Sequence, residues 1–234
     1  MKVLLYSGGM DSWLIRQLWR PDKVVYVNMH TKYSEEEIKR LDDEVIVKDF
    51  PLTEYEREDK IIPLRNLYLV MVICNMFPEG DLDICLGATA GDRVLDKSFE
   101  FAQKTSELLT YLYSPQHWIP NGRKVNVNID FKSKTKTEIL KEYIQNGGDI
   151  QKAFNQSFSC YNPVDDHPCW ACKPCFRKFV SFAMNGYDFP QEILTKVIPY
   201  IKKEILPQIN AGTYGRKEEE VQLLEILKKY EDCN

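Results

Sequence analysis

The sequence predicts a three-layer α/β fold around a parallel sheet, followed by a helical C-terminal region stapled by a metal ion. Short apolar or β-branched runs at 3–6, 24–27, 45–47 and 84–86 are separated by stretches long enough to hold helices. That alternation is what a parallel sheet with crossover helices requires. A polar loop with two glycines follows the first run directly. Four cysteines crowd into residues 160–175, beyond a Gly147-Gly148 pair after which no strand pattern recurs.

Helical patterns occupy 12–19, 34–41, 64–77, 98–113 and 136–145 between and after these strands. Val125-Asn126-Val127-Asn128-Ile129 alternates strictly, as a strand with one exposed face does, and so closes an edge of the sheet. Further helical patterns follow the cysteines at 174–184, 191–205 and 216–230. The expected organisation is an α/β domain over residues 1–148 and a helical region over 149–234.

A chain of 234 residues, 44% apolar and 28% charged, suits one compact domain with an appendage. Its net charge of -4 argues against broad electrostatic binding to nucleic acid or acidic membranes and favours small-molecule substrates. The longest apolar stretch, 67–77, is far short of the roughly 20 residues that cross a bilayer and reads as a buried helix. With no signal-peptide pattern at the N-terminus, the expected location is the cytoplasm, where clustered thiols point to metal or catalysis rather than disulfides. The apolar C-terminal helices could supply the interface of a homodimer.

The loop Ser7-Gly8-Gly9-Met10-Asp11-Ser12 sits between the first strand and an amphipathic stretch. Glycines let the backbone take positive φ and approach an anion, and a helix N-terminus offers free amides and partial positive charge. The hydroxyls of Ser7 and Ser12 can donate to phosphate oxygens. Asp11 can cap the helix or hold a magnesium ion that accompanies ATP. A plain Gly-Gly turn is the simpler reading of the glycines alone. Neither Gly-Lys-Ser/Thr nor a third spaced glycine occurs here, so the other common phosphate loops are excluded.

Cys160, Cys169, Cys172 and Cys175 form C-x8-C-x2-C-x2-C. Zinc takes four soft ligands in a tetrahedron, and four cysteines leave no position for a reacting water, so the expected site is structural. An iron–sulfur cluster uses four cysteines as well. His167 is expected to be a surface loop residue, and Cys74 and Cys85 lie on apolar elements, where they pack as core.

The hexapeptide S-G-G-x-D-S resembles the PP-loop of the N-type ATP pyrophosphatases. That resemblance implies a Rossmann-like sheet of the adenine nucleotide alpha-hydrolase type, with the loop holding the β,γ-pyrophosphate while the α-phosphate is attacked. The loop together with S-C-Y-x7-C-x2-C-x2-C and Arg177 resembles the QueC family. Pro63-Leu64-Arg65-Asn66 resembles its P-x-R-N, Gly87 with Asp92 its G-x4-D, and Lys136-Thr137-Glu138 its K-x-E. The resemblance implies that ATP activates the carboxylate of 7-carboxy-7-deazaguanine, that ammonia gives the amide, and that a second activation gives the nitrile.

By that resemblance Arg65 and Lys136, with Asp11 and Ser12, are candidate catalytic contacts for phosphate or the substrate carboxylate. Asp92 is a candidate for magnesium or for the donor nitrogens of the ring. Each also has a plainer reading, as a helix start, a solvated face or a loop cap. Two stretches depart from the family pattern: His30-Thr31-Lys32-Tyr33-Ser34 replaces Y-G-Q-R-H, and Val94-Leu95-Asp96-Lys97-Ser98 replaces Y-P-D-C-R. Asp96 and Lys97 are the residues available to take over base and acid recognition. The competing functions are a related PP-loop enzyme that adenylates another carboxylate, an amide or a tRNA base, and a nucleotide-binding protein without turnover.

Overall fold

The computed structural model describes residues 1–59 and 61–231; Cys233 lies outside them. Contacts divide the chain into two compact units, Met1–Ala88 with Asp92–Lys132, and Thr89–Gly91 with the chain from Ser133 onward.

The first unit holds β1 (Lys2–Leu5), α1 (Met10–Trp19), β2 (Lys23–Asn28), α2 (Ser34–Ile38), β3 (Val45–Asp49), α3 (Arg65–Met76), β4 (Leu82–Cys85), α4 (Phe99–Leu112) and β5 (Val125–Asn128). The five strands form one sheet in the order β3-β2-β1-β4-β5, and all pairs are parallel. Val3, Leu5, Val25, Val27, Ile84 and Val127 share one face and pack with Val70 and Ile73 of α3 and Ala102 and Leu109 of α4. Leu4, Val24, Tyr26 and Cys85 on the other face are buried too, which is why these strands read as continuous apolar runs rather than alternations. β5 is an edge, as its alternation predicts, with Asn126 turned to solvent. Chain order reverses direction at β1, whose neighbours are β2 and β4; ligands of open α/β sheets bind at such a point, beyond the carboxyl ends of the strands.

The second unit holds α5 (Lys136–Gln145), α6 (Ile150–Gln156), α7 (Lys173–Met184), α8 (Gln191–Tyr200), α9 (Leu206–Asn210) and α10 (Lys217–Glu231). The sequence pattern puts the joint near residue 148, whereas contacts place it after Lys132. The cause lies in α5, which packs on α7 and is tied there by Asn185 Nδ2 donating to Thr137 O at 3.1 Å and Thr137 Oγ1 donating to Gln222 Oε1 at 2.6 Å. Its start is fixed by a capping box: Thr135 N donates to Glu138 Oε2 at 2.7 Å and Glu138 N to Thr135 Oγ1 at 3.2 Å.

Two details differ from expectation. Helix α6 is absent from the sequence pattern, because a seven-residue helix is too short to display a period. It is started by Asp149, whose Oδ1 accepts from Gln151 N and Lys152 N at 2.7 and 3.1 Å. The single helix expected at 191–205 ends as an α-helix at Tyr200 and continues as a wider π turn over Ile201–Ile205. Pro199 removes a backbone donor just before this change.

Candidate functional site

In the first unit the phosphate loop leaves β1 while still paired, Tyr6 N donating to Val25 O at 2.9 Å. Gly8 then takes φ +69°, where a side chain would be strained although space is available. Gly9 is the N-cap of α1 with extended backbone and no side-chain cap bond, and the first intrahelical bond runs from Trp13 N to Gly9 O at 2.9 Å. The helix therefore begins at Met10, two residues earlier than its apolar period suggests. Asp11 lies in the first turn and is not the cap. A carboxylate there still complements the helix dipole.

Ser12 is buried, and its Oγ donates to Gly9 O at 3.0 Å and accepts from Ser7 N at 3.3 Å. The Ser7 and Ser12 hydroxyl oxygens are 3.3 Å apart. The hexapeptide is thus a closed turn held by its own serines. Gly87, beyond β4, abuts this turn: a Cβ added there would come within 4.0 Å of Ser12 Cβ.

The expected substrate residues follow β4. Lys97 Nζ is 3.2 Å from Asp92 Oδ2 and 3.4 Å from Gly87 O, so Gly87, Asp92 and Lys97 form one cluster beside the loop. Asp96 is engaged elsewhere. Its Oδ2 accepts from Asn66 N at 3.2 Å, which caps the start of α3 from thirty residues away. Arg65, the first residue of α3, is close enough to Glu37 to favour its charged form. Burial outweighs that effect and raises the Glu37 carboxyl, which accepts a hydrogen bond from Tyr26 OH at 2.8 Å.

In the second unit Lys136 opens α5 and lines a recess with Thr135, Thr137, Arg177, Ser181, Glu219 and Gln222. Glu219 is the acid of this cluster. Its carboxylate lies 3.3 Å from Arg177 Nε and 3.0 Å from Arg216 Nη1, and accepts from Tyr214 OH at 3.0 Å. Gly91 lies so close to the Arg216 guanidinium that any side chain there would collide with it. Arg216 and Glu219 carry no sequence signal, because they lie some forty residues beyond Arg177 and each by itself reads as a solvated charge.

The four cysteines are brought together as their spacing predicts. Their sulfurs all lie within 4.8 Å of one another, with Cys160–Cys169 at 3.5 Å, Cys172–Cys160 at 4.0 Å and Cys169–Cys175 at 4.0 Å. A tetrahedron with metal–sulfur bonds of about 2.3 Å has edges of about 3.8 Å, so the set can hold a single ion of zinc's size. An iron–sulfur cluster spreads its four cysteine sulfurs over two or more irons, so they cannot all stand as close together as around one ion. Amides turn inward: Asn162 N and Cys169 N each donate to Cys160 Sγ at 3.3 Å, and Ala171 N to Cys169 Sγ at 3.4 Å. Trp170 reaches this turn with φ +53°.

Cys172 is the N-cap of α7, and hydrogen bonding with Cys160 and then Cys175 lowers its thiol below the usual range. Cys175 is driven upward by the same neighbours. Thiols this close cannot all ionise by themselves, and a dication removes that conflict. His167 is exposed, while Cys74 and Cys85 are buried in the first unit, where burial raises both thiols, Cys74 to about 11. Among the described residues, no helix is long and apolar enough to cross a membrane.

The family described as "Queuosine biosynthesis protein QueC" matches residues 21–186. The loop at 7–12 precedes the matched stretch, so its reading stands on its own residues. Relatives named 7-cyano-7-deazaguanine synthase are similar over most of the chain. The Marinobacter nauticus protein is 24% identical over 222 residues, 80% of this chain and 95% of its own length. The Colwellia psychrerythraea protein, 7-cyano-7-deazaguanine synthase 1, is 23% identical over 222 residues, 80% of this chain and 96% of its own. The Sulfolobus acidocaldarius protein is 28% identical over 134 residues, 56% of this chain and 27% of its own.

Proposed function

The chain belongs to the queuosine biosynthesis protein QueC family, and on that premise we propose that it is an ATP-dependent ligase converting 7-carboxy-7-deazaguanine and ammonia to 7-cyano-7-deazaguanine. The observation that carries the reading is the closed serine–glycine turn between the central strand and α1, in a chain whose relatives bear that name. The product serves queuosine-type or modified-DNA pathways.

The chemistry asks for little acid–base machinery. A carboxylate is a poor electrophile because its leaving group is oxide. Attack of its oxygen on the α-phosphorus of ATP expels pyrophosphate and gives an acyl adenylate, from which ammonia displaces AMP and loses a proton. The amide oxygen attacks the α-phosphorus of a second ATP and expels pyrophosphate, the nitrogen loses one proton to give an imidoyl adenylate, and loss of AMP and the second proton leaves the nitrile. The Gly8-Gly9 turn, the α1 amides and the Ser7 and Ser12 hydroxyls bind the departing pyrophosphate and stabilise its growing charge. Magnesium, held through Asp11, would shield the phosphate charge. Within the first unit Arg65 is the cation for phosphate or acid, and Asp92, Asp96 and Lys97 are the contacts for the base. The four cysteines hold zinc, which staples the second unit and takes no part in the reaction.

Incubating the protein with ATP, magnesium, ammonium and 7-carboxy-7-deazaguanine should release AMP and form the amide and nitrile masses. AMP released only with another acid would defeat the deazaguanine reading and leave a related adenylating enzyme. No AMP with any acid would leave a nucleotide-binding protein.

A further inference from the structure

Lys178 is 3% exposed inside the second unit, three residues after Cys175 on α7. Its ammonium donates to Phe154 O at 2.7 Å and Ser157 O at 2.5 Å, and lies 4.7 Å from the Phe154 ring and 5.6 Å from the Phe182 ring. The two carbonyls belong to the last turn and C-cap of α6, where helix carbonyls lack intrahelical donors and the dipole is negative. The lysine is therefore a cap supplied by another helix. Ser157 stands three residues before Cys160, and Ser159 O accepts from Cys175 Sγ at 3.1 Å. The segment that delivers the first cysteine is thus tied to α7 by Lys178 at Ser157 O and by the Cys175 thiol at Ser159 O, and the Lys178 tie alone persists once Cys175 is a thiolate.

A buried ammonium costs several kcal/mol of desolvation unless a negative charge faces it. Among the described residues no carboxylate pairs with Lys178, and the charge that favours its protonated form is the Cys175 thiolate, against a burial effect that lowers it to about 7. Four thiolates around one dication are a net dianion.

We propose that Lys178 is the counter-cation and positioning residue of the metal centre: its charge offsets the tetrathiolate and its hydrogen bonds hold the Cys160 segment against α7. This rests on the zinc reading above. Met at 178 fills the volume without charge, Gln keeps donors without charge, and Arg keeps the charge.

Zinc per chain is measured first on the wild type. Zinc dissociation constants are then measured by competition with a chromophoric chelator for wild type, K178M, K178Q and K178R, with thermal melts of each protein before and after zinc is stripped. Affinity should fall about tenfold to a hundredfold in K178M and K178Q, the range seen when groups supporting metal ligands are removed, and recover in K178R. The stripped K178M should melt no lower than the stripped wild type, so that the loss belongs to the loaded protein. Wild-type affinity in K178Q would overturn the proposal, as would melting losses of equal size with and without zinc. K178Q decides the case if K178M does not fold. A wild type without zinc overturns the zinc reading itself, and with it this inference, before any variant is compared.

Discussion

The hydroxyl oxygens of Ser7 and Ser12 stand 3.3 Å apart across the phosphate loop, with Ser12 Oγ also donating to Gly9 O. The turn is therefore held by hydrogen bonds among its own residues. Ser12→Ala removes both a phosphate donor and the internal tie, and Asp11→Ala removes a carboxylate that is not a helix cap. Each should lower AMP release at least about a hundredfold, as loss of a charge-stabilising donor does, while Asp11→Ala leaves the melting temperature nearly unchanged. Normal turnover in either variant would remove the loop from the reaction.

The purified protein should carry one zinc per chain and show no visible chromophore, because a closed tetrathiolate site suits a d10 ion. Metal analysis with an absorption spectrum checks this, and a brown, iron-bearing sample contradicts it. Cys172→Ser should lose zinc and lower the melting temperature, since binding contributes folding free energy. Cys233→Ser, outside the described residues, should change neither.

Glu219 faces Arg177, Arg216 and the Tyr214 hydroxyl at once. Glu219→Ala leaves two largely buried guanidiniums without their acid and should cost about 3 kcal/mol in urea unfolding. A change below about 0.5 kcal/mol would mean that the cluster is solvated.

Lys97 already holds Asp92, so a substrate acid must share it. Lys97→Ala should raise KM for the carboxylated base by about tenfold to a hundredfold and leave KM for ATP unchanged, the cost of one charged hydrogen bond. An unchanged KM for the base would assign Lys97 to the loop alone.

Burial raises the Glu37 carboxyl in the folded chain, so the unfolded chain ionises at lower pH. Its contribution is then fully favourable below the unfolded value and declines as pH rises toward the folded one. Glu37→Gln keeps an acceptor for Tyr26 OH and should flatten this decline, read as urea midpoints from pH 4 to 7. An unaltered slope would show that Glu37 is solvated.

The strands, the loop and the thiol cluster are legible because each rests on local spacing: Val125–Ile129 alternates, Ser7–Ser12 is contiguous, and Cys169, Cys172 and Cys175 are separated by two residues each. What escapes a sequence depends on distant pairing. Nothing near Asp96 says that it caps α3, and nothing near Glu219 says that it meets Arg177. Thr135-x-x-Glu138 is a local capping-box pattern, yet Lys136 and Glu138 within it also match a site motif, which masks the plainer role of the glutamate. The assignment of α5 to the first domain follows from order along the chain, whereas its partners, Asn185 and Gln222, come later.

The cap that Asp96 gives to Asn66 makes the opening turn of α3 a reporter for the segment after β4. Any ligand that draws Asp96 away leaves the Asn66 amide open to exchange with solvent, and any ligand that fixes the segment slows that exchange. Amide hydrogen–deuterium exchange at Asn66 therefore reads occupancy at Asp92 and Lys97 from a backbone position that needs no contact with the ligand.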